Sequence, residues 1–97
     1  MDYNQIENIL ISFGLNKHSN SVGTHFSFIK GNKHRIIFER LRPLNKGGAG
    51  GYLYAEVLDE YKDRCSENGH ICIGNIRSEI ELRNIVERVI RHFDAIY

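Results

Sequence analysis

Thr24-His25-Phe26-Ser27-Phe28-Ile29-Lys30-Gly31-Asn32-Lys33-His34-Arg35-Ile36-Ile37-Phe38-Glu39-Arg40-Leu41 is the stretch that decides the fold. His25 and Ser27 alternate with Phe26 and Phe28 at the period of two that sends successive side chains of a strand to opposite faces. Gly31-Asn32 has turn chemistry, and Arg35 to Leu41 is rich in the β-branched and aromatic residues that suit a pleated, half-buried surface. Pro43 lacks the N–H a ladder needs and stops the second run. The stretch reads as an antiparallel hairpin with Phe26 and Phe28 facing inward.

On its N-terminal side, Asp2 and Gln5 have the spacing of a capping box, and Ile6, Ile9, Leu10 and Phe13 recur at helical spacing before Gly14. The pattern predicts an amphipathic helix of about three turns. Asn16 to Gly23 is polar and reads as a turn-like connection. On the C-terminal side, residues 44–51 carry Gly47, Gly48, Gly50 and Gly51 and read as a flexible connector. Leu53, Ala55 and Val57 then alternate with Tyr52, Tyr54 and Glu56 in a third strand. Asp59 to Arg64 either extends that strand or makes a helical turn, and periodicity leaves both open. Asn68-Gly69 is a hairpin signal leading to a fourth strand, His70 to Ile76. Ser78 and Glu81 form a second capping box, ahead of an apolar stripe of Leu82, Ile85, Val86, Val89, Ile90 and Phe93. The order implies an α+β fold, α-β-β-β-β-α, in which an antiparallel four-stranded sheet carries the N- and C-terminal helices on one face, as a single domain over residues 1–97.

Composition narrows the function classes. The 97 residues carry 13 Lys+Arg against 12 Asp+Glu, with one Pro and nine Gly, which excludes a uniformly basic binder, a disordered tail and a collagen-like chain. Neither a signal-like start nor an apolar run long enough to span a bilayer is present, so a soluble, cytoplasmic chain without membrane attachment is expected. The near-neutral total conceals a gradient. Residues 1–46 hold seven Lys/Arg and three Asp/Glu, a net +4, whereas residues 47–97 hold six and nine, a net −3. Between Glu7 and Glu39 there is no acid at all.

That gradient marks Lys30, Lys33, His34, Arg35, Arg40, Arg42 and Lys46 as a basic hairpin and flank able to neutralise phosphates or an acidic protein surface. A solvated hairpin edge protected by Lys and Arg would show the same composition. Tyr52 and Tyr54, on one face of the third strand, are candidates to stack bases or anchor a partner. His25, opposite in facing to Phe26 and beside the basic turn, is the candidate general acid or base. Cys65, His70 and Cys72 include soft metal ligands, but a closed zinc site wants four. A two-residue turn at Asn68-Gly69 would set Cys65 across from Cys72, so a strained disulfide and simple packing are alternatives. No Gly-Lys-Ser/Thr follows the glycines at 47–51, so they lack the phosphate-loop signature. Glu79 with Arg83 and Glu87 with Arg91 mark a solvated helix face. No cofactor and no metal is implied.

The helix ending near Gly14, the Gly23-Thr24-His25 opening of a strand, the tight turn and the second strand stopped by Pro43 resemble, over residues 6–43, the HicA-type toxins of toxin–antitoxin pairs. The resemblance implies a double-stranded-RNA-binding-like fold and messenger-RNA cleavage with His25 as the working histidine. Two function classes follow. The first is a non-enzymatic binding module that grips nucleic acid, or a cognate toxin or nuclease that it inhibits, through the basic hairpin. The alternative is a metal-independent ribonuclease with His25 as general acid/base.

Overall fold

The computed structural model describes residues 1–97. Helix α1 (Tyr3–Ser12) opens on the expected capping box: the Asp2 carboxylate accepts the Gln5 N–H at 2.9 Å, and the Gln5 side chain accepts the Asp2 N–H at 3.0 Å. Helix α3 (Glu79–Ile96) starts on Ser78, whose hydroxyl accepts the Glu81 N–H. Glu81 does not close the second box on Ser78; its carboxylate reaches one residue further back, to the Arg77 N–H at 3.2 Å.

Between the helices lie five antiparallel strands, one more than the sequence pattern predicts: β1 (Asn16–Asn20), β2 (Gly23–Lys30), β3 (Lys33–Pro43), β4 (Ala49–Tyr54) and β5 (His70–Cys72). They lie in the order β1-β2-β3-β4-β5, so each pairs with its chain neighbours. The extra strand is the segment expected to be a turn. Asn16-Lys17-His18-Ser19-Asn20 contains no apolar residue and is exposed throughout, so it lacks the alternation that betrays a half-buried strand. It is nonetheless paired residue for residue with β2, from Asn16 opposite Ser27 to Asn20 opposite Gly23. The Asn20 side chain accepts the Val22 N–H at 2.9 Å, an Asx turn that closes the hairpin.

Other boundaries also move. The glycine connector is shorter than expected. Leu44 to Gly48 is a bonded turn, and Ala49, Gly50 and Gly51 belong to β4. Gly51 has φ +151° and a Cβ there would enter the Phe38 ring, so core packing requires the glycine. The third strand ends at Tyr54 rather than Val57 because Ala55 donates to Gly69 and the chain turns back through Leu58. Asp59–Lys62 resolves as a short helix, α2, which buries Tyr61. The expected two-residue hairpin at Asn68-Gly69 is instead the end of a turn from Ser66: Gly69, at φ +79°, donates to Ser66, and Ser66 donates to His70. The fourth expected strand is cut to β5, and Ile73–Asn75 coils into a 3-10 turn. Strand β5 pairs with β4, so Cys72 lies across from Tyr52 and not from Cys65. Cys65 Sγ donates to the Tyr61 carbonyl, both cysteines are free, and the cross-strand disulfide is ruled out.

Both long helices meet the sheet on the same side. Lys17 of β1 pairs with Glu7 of α1 at 2.9 Å, and Tyr3 of α1 lies 3.3 Å from the Thr24 hydroxyl of β2. Further along that face of β2, Phe28 stacks on Tyr97 beyond the end of α3. The core is one cluster of 21 buried residues drawn from α1, α2, α3 and the helix side of the sheet. At about 25 cal/mol per Å2 of apolar surface, burial of side chains such as Phe26, Phe38 and Leu53 supplies the main drive for this layer. His18, His25, Ile29, Ile36, Glu39, Tyr52 and Cys72 take the alternate positions and lie outside that cluster. They form a sheet face that no helix covers. No helix is long and apolar enough to cross a membrane.

Candidate functional site

The uncovered face is shaped by an extra residue in β3. Glu39 pairs with Tyr52 and Arg42 with Gly50, so three steps along β3 match two along β4. On the other side Thr24 pairs with Leu41 and Phe26 with Phe38, again two steps against three. The surplus is absorbed at Arg40, which has φ +58° and is the one non-glycine residue of the chain with positive φ. Strict alternation after Glu39 would turn Arg40 toward the helices and Leu41 outward. The bulge reverses that outcome. Leu41 is 1% exposed in the core, and Arg40 is exposed.

Three neighbours hold the bulge. Gly23 lies so close that a Cβ on it would sit 2.9 Å from both the Arg40 Cα and its carbonyl carbon. His25 Nδ1 accepts the Arg40 N–H at 3.4 Å, and His25 Nε2 lies 3.0 Å from the Asn20 side-chain nitrogen. The Arg40 carbonyl then accepts from Arg42 Nη1 at 3.0 Å. His25 thus has both ring nitrogens engaged within the fold, and what it touches is the backbone that presents Arg40.

Arg42 is positioned in turn. Its guanidinium lies across β4 at Gly50, where a Cβ would come within 2.9 Å of Cζ. Tyr52, half-buried, sits between the two arginines. Two shallow clefts meet at it. One, of about 310 Å3, is lined by Glu39, Arg40, Tyr52, Ser66, Asn68 and His70; the other, of about 200 Å3, has Arg42, Gly50, Gly51 and Tyr52 in its lining. Cys72 borders both. The His70 ring packs beside Tyr52, with centroids 6.3 Å apart, and edge-on to Tyr54 at 6.0 Å.

The sequence-predicted basic set divides in three. Arg40, Arg42 and Lys46 share the end of β3 and the turn beyond it. Lys33 and His34 are exposed at the opposite end of the strand, roughly 30 Å from Arg42 at 3.3 Å per residue. Lys30 and Arg35 are occupied elsewhere. Lys30 forms a salt bridge with Asp94 at 3.0 Å, and Arg35 stacks its guanidinium 4.0 Å from the Tyr54 ring centre and 5.3 Å from that of Phe93. The Arg35 Nε is buried without a hydrogen-bond partner, so the two rings are its main contacts. Tyr54, 8% exposed against Phe93, belongs to the core and not to the open face that Tyr52 shares with the arginines.

Pairing sharpens the charge gradient. Lys17, Lys30, Arg64, Arg83, Arg88 and Arg91 each have an acidic partner. Of the seven cations left without one, Lys33, Arg35, Arg40, Arg42 and Lys46 fall within residues 33–46. The acids Glu56, Asp59, Asp63 and Glu67 are likewise unpaired, in the segment around α2.

Cys65, His70 and Cys72 do not converge, and no group of three or more His, Cys, Asp or Glu is placed to hold a metal ion. Burial pushes the Cys65 thiol above its ordinary range, with Glu56 adding to the shift, which holds it as the unreactive thiol. Ser66, Asn68 and the two strand glycines belong to the clefts, but the sequence marks them only as turn and connector residues, because a turn folded back from β5 and a close backbone approach bring them there. Compared with protein-family models, curated proteins and solved structures, the chain matches none.

Proposed function

We propose that this chain is a small non-enzymatic binding module that grips an acidic macromolecule through Arg40, Arg42 and Lys46. The observation that carries this reading is the concentration in residues 33–46 of cations without an acidic partner, while four of the five Lys and Arg from residue 64 onward are paired with an acid. Cations without an acidic partner keep their charge for a ligand, and no internal ion pair has to be broken on binding. Arg42 adds preorganisation, since its hydrogen bond to Arg40 and its seat over Gly50 restrict the rotamers that binding would otherwise have to order.

A metal-independent ribonuclease built on His25 would first have to release that ring from Asn20 or from the Arg40 N–H. The binding reading asks nothing of the ring except that it stay where it is.

Salt titration of heparin binding tests the proposal. Three phosphate- or sulfate-type contacts predict a slope of log affinity on log salt of about −2 to −3, and the triple change Arg40→Gln, Arg42→Gln, Lys46→Gln should abolish most of it. A wild-type protein that ignores polyanions at low salt, or a triple variant that binds like wild type, sinks the reading.

A further inference from the structure

Resting on that cationic reading, we propose that the partner is a single-stranded nucleic acid, one of whose bases stacks on Tyr52 while the flanking phosphates lie on Arg40 and Arg42. Cations alone would serve any polyanion. What the geometry adds is an aromatic ring on an uncovered sheet face with an arginine-lined cleft on each side of it. Arg40 and Arg42 are two residues apart in β3, and each comes to one cleft. A backbone crossing β4 over Tyr52 would therefore meet a cation before and after the ring.

Three further features fit an unpaired base. A duplex buries its base faces in its own stack, so it has nothing to offer Tyr52; an unstacked strand has a π-face at every nucleotide. The Tyr52 cleft is bounded on one side by the Ser66–Gly69 turn, which brings the Asn68 amide and the Ser66 hydroxyl to the rim. Those groups donate and accept within one residue, the requirement for reading a base edge. On the other side, the missing side chain of Gly50 lets the Arg42 guanidinium seat against β4, where a Cβ would come within 2.9 Å of Cζ, so the cation is held at the cleft before a phosphate arrives. An acidic protein surface would use the arginines but would leave the ring and the Ser66–Asn68 rim without purpose.

The test is fluorescence anisotropy with a short labelled single strand, in RNA and DNA forms, the corresponding duplex, and heparin as a competitor bound by charge alone. The expected order is single strand tighter than duplex. Tyr52→Ala should weaken single-strand binding roughly 5- to 150-fold, the range for losing one stacked base, with heparin binding unchanged; Tyr52→Phe should bind like wild type. Tyr52→Leu retains apolar volume and should behave like the alanine variant if stacking is the interaction. Should these variants fail to fold, Cys72 of the wild-type protein reports instead: it borders both clefts, and its alkylation by a maleimide should slow when the single strand is saturating. Duplex and single strand bound equally, with Tyr52→Ala indistinguishable from wild type, overturns the nucleic-acid inference and leaves the cationic reading standing. Heparin and both strands all failing to bind overturns the cationic reading itself.

Discussion

Replacing Arg40 by glycine should stabilise the protein while weakening its grip on polyanions, a combination that ordinary surface substitutions do not produce. Arg40 sits at φ +58°, where an L-residue with a Cβ is disfavoured by about 1–2 kcal/mol. Arg40→Gly removes that strain but adds the unfolded-state entropy of glycine, about 0.5–1 kcal/mol, so the net gain is about 0–1.5 kcal/mol. Glu39→Gly is the matched control. Glu39 has no ion-pair partner and no positive φ, so the same entropy is lost with no strain to release. The two variants should differ by the strain itself, about 1–2 kcal/mol, or roughly 4–15 °C in melting temperature for a domain of this size. Urea and thermal unfolding followed by circular dichroism measure the difference. Arg40→Ala completes the set, since it deletes the charge and retains the strain. Both Arg40 variants should lose polyanion affinity alike, and the glycine variant alone should gain relative stability. If Arg40→Gly is destabilised as much as Glu39→Gly, the bulge is unstrained and the account of how Arg40 is presented is wrong.

Further outcomes follow from the same structure. Gly51→Ala should cost about 1–3 kcal/mol or more in urea denaturation, because the new methyl group enters the Phe38 ring and the residue stands at φ +151°; an unchanged midpoint would contradict the packing. His25→Ala removes the acceptor of the Arg40 N–H, an exposed bond, and should lower stability by about 0.5–1.5 kcal/mol. RNA incubated with the wild-type protein in EDTA should remain intact, and cleavage that disappears in His25→Ala would favour the ribonuclease instead. Stability should fall as pH rises above about 9. Cys65 and Tyr61 are both raised by burial from ordinary values of 9.0 and 10.0, so the folded state binds protons that the unfolded chain has released. The loss begins near the ordinary thiol value and continues through the folded values; Tyr61→Phe should flatten its upper part, and a midpoint constant from pH 8 to 11 would refute the burial argument.

Elements with a buried face were legible. Phe26 with Phe28, Leu82 with Ile85, Val86 and Val89, and the Asp2–Gln5 box each express in local sequence the periodicity or cap that the fold uses. Strand β1 was not, because its residues bury neither face and its pairing comes from β2 through backbone bonds that any side chain permits. The same holds for Gly50 and Gly51, whose composition suggests a loose connector and whose neighbours Arg42 and Phe38 require a strand without side chains.

For the candidate site, the separation of charge is a property of the sequence by itself: the absence of acids between Glu7 and Glu39 and the cations through Lys46 can be counted without coordinates. Which of those cations are free is not. Lys30 and Arg35 are indistinguishable in type from Arg40 and Arg42, yet Asp94 and the Tyr54–Phe93 pair, far along the chain, engage the first two, while the other two stay at the open face without an acidic partner. His25 likewise reads as a reactive ring until Arg40 comes within 3.4 Å of it across the sheet. Charge and periodicity are local and survive in one dimension. The partners that neutralise a charge, and the bulge that turns one outward, depend on contacts between distant residues, and only the folded sheet supplies them.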